Sequence, residues 1–337
     1  MTSVFDDVLG DVCRAHDAEE FAAAALAAHD EALELGPTRT RDVVALTQRW
    51  SAFARSAVAG AADIVAAAHP GLRWQWYVSG SCGRSDALPG ADVETLIVVD
   101  TDRTAALAAA AQVHALLDSV GLRADTNGAI ASRSRFARDT HAWQRGIDAW
   151  LADPAADRGV VMTGLLADAA PAHLHANGLR THLLGALSPD RPDALSAMLD
   201  DTLVIRETVP SRLRVVAGGR DAVDVKRAVV EPITKIARWA ALSTGSSASS
   251  TLDRLHDGAA LLPDDAADTL ADCWCIATRL RWAIRSDSVR AGGVVRDDAT
   301  LSTLSPQDRA QLRTAGREVS GVLRILNYTR PDRFAGR

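Results

Sequence analysis

"SGSCGRSDALPGADVETLIVVD", residues 79–100, is the stretch whose reading decides how this chain folds. The apolar alternation of "RWQWYVS" before it predicts a strand, with Trp74, Trp76 and Val78 on the buried face and Gln75, Tyr77 and Ser79 opposite. A tight turn follows, carrying Gly80, Ser81, Gly83 and Arg84. Pro89-Gly90 then reverses the chain, and Asp92 and Glu94 open "LIVV", apolar enough to be a central strand. On a strand, residues i and i+2 share a face. The two carboxylates therefore project together, about 7 Å apart by strand rise. Two acids at the mouth of a buried strand repel each other and lose hydration, and a bound divalent cation relieves both penalties. Mg²⁺ accepts one or two carboxylates, with waters and substrate phosphates completing its shell. The turn suits the phosphates. Gly80 and Gly83 let the backbone approach a ligand closely. Successive N–H groups cradle phosphate oxygens. Ser81 adds a hydroxyl donor, and Arg84 a forked guanidinium.

"SGSCG" after a strand also resembles the nucleophile elbow of serine hydrolases, with Ser81 or Cys82 as the attacking residue. That elbow runs directly into a helix. Here a turn and a second strand are expected instead, and the hydrolase reading is set aside.

The rest of the chain frames this segment. Its 337 residues suggest two domains, and 47% hydrophobic content is enough for real cores. A net charge of −6 argues against general nucleic-acid affinity. Cys13, Cys82, Cys273 and Cys275 give neither a disulfide framework nor a CxxC pair. The acidic start has no leader pattern, and no apolar run is expected to reach the roughly 20 residues of a membrane span. The expectation is a cytoplasmic protein. Lysine occurs only at 226 and 235, which marks those two positions.

Residues 1–70 read as helices, with Val44, Trp50, Phe53, Val58 and Ile64 at helical spacing. Residues 71–170 read as a small mixed α/β domain. In it, "LRADT" is a short strand, "RFARDTHAWQRGIDAWLADP" a helix, and "GVVMTGLLAD" a third main strand delivering Asp168. Residues 171–330 read as a helical bundle. Ser305 caps its last helix and Leu312, Ala315, Val319, Val322 and Leu326 form one face. The expected class is α+β: a mixed-sheet domain flanked by an N-terminal helical segment and a C-terminal helical bundle.

"GSCGRSDALPGADVE" resembles the glycine-serine and acid-x-acid signature of the DNA polymerase beta-type nucleotidyltransferase superfamily. More closely, it resembles the bacterial nucleotidyltransferases found beside CBS or cyclic-nucleotide-binding domains, relatives of the uridylyltransferase of the PII signalling protein. "DAVDVKRAVVEPITKIARWAALSTG" and "STLDRLHDG" resemble that family's C-terminal substrate-binding domain. The resemblance covers roughly residues 40 to 327 in order of elements. It implies that Asp92, Glu94 and Asp168 hold the catalytic metal, Mg²⁺ or Mn²⁺. It implies that Gly80, Ser81, Gly83, Arg84 and Lys226 hold the nucleotide, and that Arg238 and Arg254 face the substrate. The chain departs from the family in four places. Glu94 and Asp86 stand where the family has Asp and Glu, "GLLAD" stands in place of an aromatic-rich strand before the third carboxylate, and "AAPAH" replaces an expected arginine after Asp168. No CBS or cyclic-nucleotide module is present.

The implied activity moves a nucleoside monophosphate from a nucleoside triphosphate to a protein or small-molecule acceptor, releasing pyrophosphate. The alternative is a catalytically weak nucleotide-binding sensor or interaction module of the same fold. No nucleic acid or membrane partner is expected, and a homo-oligomer is left open. His173, His175 and His182 are weighed as a zinc site and set aside as structural or surface residues, since no fourth ligand has suitable spacing. The tail "YTRPDRFAGR" reads as a frayed end.

Overall fold

The computed structural model describes residues 4–125, 128–173, 178–187, 192–204, 207–211 and 221–329. The chain divides into two compact units: Met1–Gly36 with Val44–Ala186, and Pro37–Val43 with Leu187–Arg337.

The first unit opens with helices α1 (Val4–Arg14), α2 (Ala18–Glu34) and α3 (Val43–Ala68). Asp17 caps α2, its side chain accepting from the N–H groups of Glu19 and Glu20 at 2.9 Å each. On α3, Trp50, Phe53 and Val58 are buried as the spacing predicts, whereas Val44 and Ile64 are only half-buried. Val43, Leu46 and Val65 take the core positions instead. The segment Thr40–Ala68 is long and apolar enough to cross a membrane by length and composition. That corrects the expectation that no run reaches such a length. Its abundant alanine raises the mean hydropathy without an uninterrupted apolar run. Its Trp50, Phe53, Ala57 and Ala61 are turned into the core of the unit.

A four-stranded sheet follows, in the order β3-β2-β1-β4. Strands β1 (Trp74–Val78) and β2 (Thr95–Val99) are antiparallel, with Trp74 opposite Val99 and Val78 opposite Thr95. The two-residue strands β3 (Ala137–Arg138) and β4 (Ala170–Pro171) flank them. β3 runs parallel to β2, and β4 runs antiparallel to β1. All five residues of β2 are buried, as its composition predicts. β1 is more buried than its alternation implies: Trp76, Tyr77, Val78 and Ser79 are all inside. An inner strand is covered on both faces, which overrides the period-two pattern.

Helices α4 (Gly80–Gly83), α5 (Arg103–Ser119), α6 (Thr140–Ala152), α7 (Gly159–Ala167) and α8 (Leu179–Ala186) complete the unit. Three sequence expectations change here. "GVVMTGLLAD" is not a strand but α7, with Asp168 at its C-terminal end. Met162, Thr163, Leu166 and Ala167 are buried, and a short run apolar on most sides carries no readable period. "LRADT" forms no strand over its described residues 122–125, although the Val93 N–H donates to the Arg123 carbonyl at 2.8 Å. Finally, α6 starts five residues later than the run that begins at Arg135, because Ala137–Arg138 pairs with β2 and Asp139 caps the helix through the Ala142 N–H. Trp143 locks α6 to the sheet, its indole donating to the Ile97 carbonyl at 2.9 Å.

His114 on α5 lies 3.0 Å, through Nε2, from the Thr95 hydroxyl oxygen, which itself accepts from the Ala131 N–H. The Thr95 hydroxyl has a second lone pair and a proton, so a neutral ring pairs with it as donor or acceptor according to its tautomer. Burial lowers the His114 pKa from 6.5 to about 4. The unfolded chain therefore binds this proton first. Its stabilisation is complete above about pH 6.5 and is lost as the pH falls toward 4, up to about 3 kcal/mol. His114→Gln is expected to flatten the stability profile across that window. An unchanged slope in urea unfolding from pH 7 to 4 would show the ring to be solvated.

The second unit contains α9 (Pro192–Leu203), β5 (Ala222–Asp224), a π-helical turn at Lys226–Val230, α10 (Glu231–Ser243), α11 (Thr251–Asp257), α12 (Ala266–Arg290), β6 (Asp298–Thr300) and α13 (Pro306–Tyr328). It is helical as expected, with one addition: β5 and β6 pair as an antiparallel ribbon. Ser305 caps α13 through the Asp308 N–H at 3.0 Å, and Leu312, Ala315, Val319, Val322 and Leu326 are all buried. Arg281 and Arg285 of α12 both clasp Asp297, just before β6, at 2.8 and 3.0 Å.

Candidate functional site

The first unit gathers most of the singled-out residues at one end of its sheet. Val78 and Thr95 form the last β1–β2 rung, and the Ser79 N–H extends it by donating to the Glu94 carbonyl at 2.9 Å. That rung sets the turn after β1 beside the acids before β2. The turn is helical, not an open loop: Gly80–Gly83 makes a single turn, closed by the Arg84 N–H to the Gly80 carbonyl at 3.1 Å.

Gly80 has φ +57°, and a Cβ there would overlap Oε2 of Glu94 and lie 3.0 Å from its Cδ. The glycine is thus required twice, for its left-handed backbone and for the space Glu94 occupies. Val93 is buried between Asp92, which is exposed, and Glu94, which is half-buried. The alternation puts both acids on the side away from the core, as the i, i+2 spacing predicts. They precede the first residue of β2 rather than belonging to it.

Gly83 packs against a different neighbour. A Cβ there would overlap the Asp168 carbonyl oxygen and lie 3.0 Å from the Val78 carbonyl oxygen. Asp168 arrives from the end of α7, just before β4 pairs with Tyr77 and Val78. The Ser79 hydroxyl ties the two segments together by donating to the Leu165 carbonyl at 2.6 Å.

Arg84 joins the carboxylates. Its Nε donates to Asp86 at 3.0 Å and its Nη1 to Asp168. The three side chains are 11%, 8% and 2% exposed. Burial alone would lower the Arg84 pKa, but Asp168 and Asp86 outweigh it and hold the guanidinium above its ordinary value. Asp86 was legible only as a departure from a family pattern. Its role depends on the two-residue spacing from Arg84, a signal the sequence does carry.

Cys82 is buried, and burial, reinforced by the negative charge of Glu94, pushes its thiol up to about 12. A thiol so held supplies no thiolate nucleophile at neutral pH. Ser81 is half-buried on the same turn. His173 pairs with Asp63 at 3.1 Å, which raises its pKa; His182 sits on α8; and His175 lies outside the described residues.

Among the described residues, no group of three or more His, Cys, Asp or Glu is placed to hold a metal ion. Asp92 and Glu94 are instead a two-carboxylate, all-oxygen donor set beside a glycine turn. That set does not make a closed protein cage. It fits a hard divalent cation whose remaining positions are taken by water and phosphate.

Lys226, Arg238 and Arg254 lie in the second unit. Lys226 is exposed on the π-helical turn, and Arg238 is half-buried on α10. Arg254 is 1% exposed, and its Nε donates to the Ala248 carbonyl at 3.0 Å, tying α11 to the preceding loop.

Residues 30–157 match the family model described as "Putative nucleotidyltransferase DUF294". Residues 192–329 match the one described as "Putative nucleotidyltransferase substrate binding domain". The first match contains Gly80 to Glu94, and the second contains Lys226, Arg238 and Arg254. Asp168 falls between them. No curated protein matches the chain.

Proposed function

The chain belongs to the putative nucleotidyltransferase family, and from that premise we propose that it moves a nucleoside monophosphate from a nucleoside triphosphate to a hydroxyl of a protein or small-molecule acceptor. The observation that carries this reading is the Glu94 carboxylate seated against Gly80, with Asp92 on the same side of the chain. Asp92 and Glu94 are assigned to hold Mg²⁺ or Mn²⁺, which when bound stabilises charge on the phosphates. The backbone N–H groups of Gly80 and Ser81 and the Ser81 hydroxyl orient phosphate oxygens, whereas Gly83, expected to join them, gives its N–H to the Ser79 carbonyl at 3.2 Å and serves to seat the turn against Asp168. Arg84 offsets triphosphate charge; in the second unit the resemblance assigns Lys226 to the nucleotide and Arg238 to the substrate, whereas Arg254, 1% exposed with its Nε given to the Ala248 carbonyl, holds the fold of that unit. Asp168 is the third carboxylate that the resemblance assigns to the site; in the structure Arg84 holds it, and among the described residues it is not grouped with Asp92 and Glu94 around a metal position. A triphosphate that competes for Arg84 releases Asp168, which then takes the acceptor's proton. The acceptor oxygen bonds to the α-phosphorus, the bond to the bridging oxygen breaks, and pyrophosphate leaves. Such a reaction needs no membrane, and we place the protein in the cytoplasm.

A second reading, nucleotide binding without turnover, is favoured by one observation: Arg84 is already engaged by both Asp86 and Asp168. Calorimetry with ATP, UTP, GTP and CTP, with and without Mg²⁺, combined with pyrophosphate release, separates the two. Asp92 is exposed, so Asp92→Asn should fold normally. It should lose Mg²⁺-dependent binding and more than about a hundredfold in turnover, since even partners behind a metal ligand cost about 10–100-fold. Full turnover in Asp92→Asn would refute the assignment. Binding that is lost in this variant, from a wild type that releases no pyrophosphate, would establish the sensor.

A further inference from the structure

A second candidate site lies along α3. An open groove of about 550 Å³ runs between α1, the end of α2, α3 and the segment after α4. Phe5 and Leu9 of α1, Leu35 after α2, and Leu46 of α3 give it apolar walls. Leu35 is 51% exposed, so apolar surface is open to solvent there. The volume suits a small molecule with an apolar body.

Two arginines line this groove, and they differ. Arg49 is engaged: it pairs with Glu31 at 2.6 Å and stacks over the Phe5 ring at 3.9 Å. Arg55 is not. Among the described residues nothing hydrogen-bonds to its guanidinium, forms an ion pair with it or presents a ring to it. It is nevertheless only partly exposed, and burial lowers its pKa, with Cys82 a smaller opposing influence. A half-desolvated cation without a counter-charge is an unfavourable arrangement that a bound anion would correct. Asp6, Gln48 and Ser85 are the other polar residues on the walls.

From the unengaged Arg55 on the wall of a groove with apolar sides, we infer that this groove binds a small amphipathic carboxylate, its head group forked by Arg55 and its apolar body along Phe5, Leu9 and Leu46. Charge complementarity selects the head group, because a guanidinium meets a carboxylate in a planar, two-bond geometry. The site lies within the first unit and shares no residue with the proposed metal and nucleotide residues. It does not depend on the activity proposed above.

The test is calorimetric titration of the full chain with decanoate below its micelle concentration, and with decanol as the uncharged counterpart. Wild type should bind decanoate and not decanol. Arg55→Gln should weaken decanoate about tenfold or more, the loss expected for one charge-assisted pair. Asp92→Asn should bind decanoate as wild type does, which keeps this result separate from any failure of the nucleotide site. Arg55→Gln should also melt at or above the wild-type temperature, since it removes a charge that has no partner. No decanoate binding, equal binding of decanol, or unchanged decanoate affinity in Arg55→Gln would overturn the inference. So would a clear loss of thermal stability in that variant, which would reveal a structural partner.

Discussion

Replacing Arg84 by methionine is expected to cost the first unit about 3–5 kcal/mol of stability, the penalty for leaving buried carboxylates without their cation. The magnitude follows from where the group sits. The Asp168 side chain is 2% exposed and that of Asp86 8%, and one guanidinium serves both. Methionine replaces the volume but leaves two acids facing each other out of water. Arg84→Lys should recover only part of the loss, because an ammonium on a flexible stem cannot bridge both acids as a fork does. The combination of Arg84→Met with Asp86→Asn and Asp168→Asn should be more stable than Arg84→Met alone, since the uncompensated charge has gone. Urea unfolding with circular dichroism reads all four chains. An Arg84→Met variant within about 1 kcal/mol of wild type would match a solvated surface pair and not a buried one.

The second large effect separates two glycines three residues apart. A Cβ on either one overlaps an oxygen, but the oxygens differ in kind. At Gly83 the obstacle is backbone, the Asp168 carbonyl with the Val78 carbonyl close behind. Neither can swing aside, so Gly83→Ala is expected at the upper end of overpacking costs, about 3 kcal/mol or more. It should also spread β4 from the turn. At Gly80 the obstacle is the far end of the Glu94 side chain, which can rotate. The fold then bears mainly the left-handed backbone penalty, about 1–2 kcal/mol. The displaced Glu94 carboxylate should instead abolish Mg²⁺-dependent nucleotide binding. Combining Gly80→Ala with Glu94→Asp shortens the arm, removes the overlap and should restore part of that binding. If Gly80→Ala binds nucleotide normally, Glu94 is not a ligand. If Gly83→Ala unfolds no more easily than Gly80→Ala, the packing against Asp168 is looser than described.

The residues that the sequence placed correctly are those whose signals are local. Asp92 and Glu94 share a side because residues two apart on extended chain must, and buried Val93 between them marks the other side. The run of β2 is apolar because both its faces are covered. The cap at Ser305 follows from its residue type before Pro306, and the buried face of α13 from helical spacing. The helical class of the second unit was legible for the same reason.

Tertiary structure decided what depends on partners far along the chain. α7 reads as a strand in the sequence because an apolar run packed on most sides has no period to read. β3 and β4, two residues each, exist only through their pairing with β2 and β1. Whether Arg84 meets a phosphate or an acid cannot be read locally, because Asp168 lies 84 residues away and reaches it only when β4 joins the sheet. Arg55 is the converse case. It stands six residues after Arg49 on the same helix, yet folding gives Arg49 a carboxylate and a ring and leaves Arg55 without either among the described residues. Local backbone sterics and spacing determine which way a side chain points; only closure of the sheet and packing of the helices determine what it meets there.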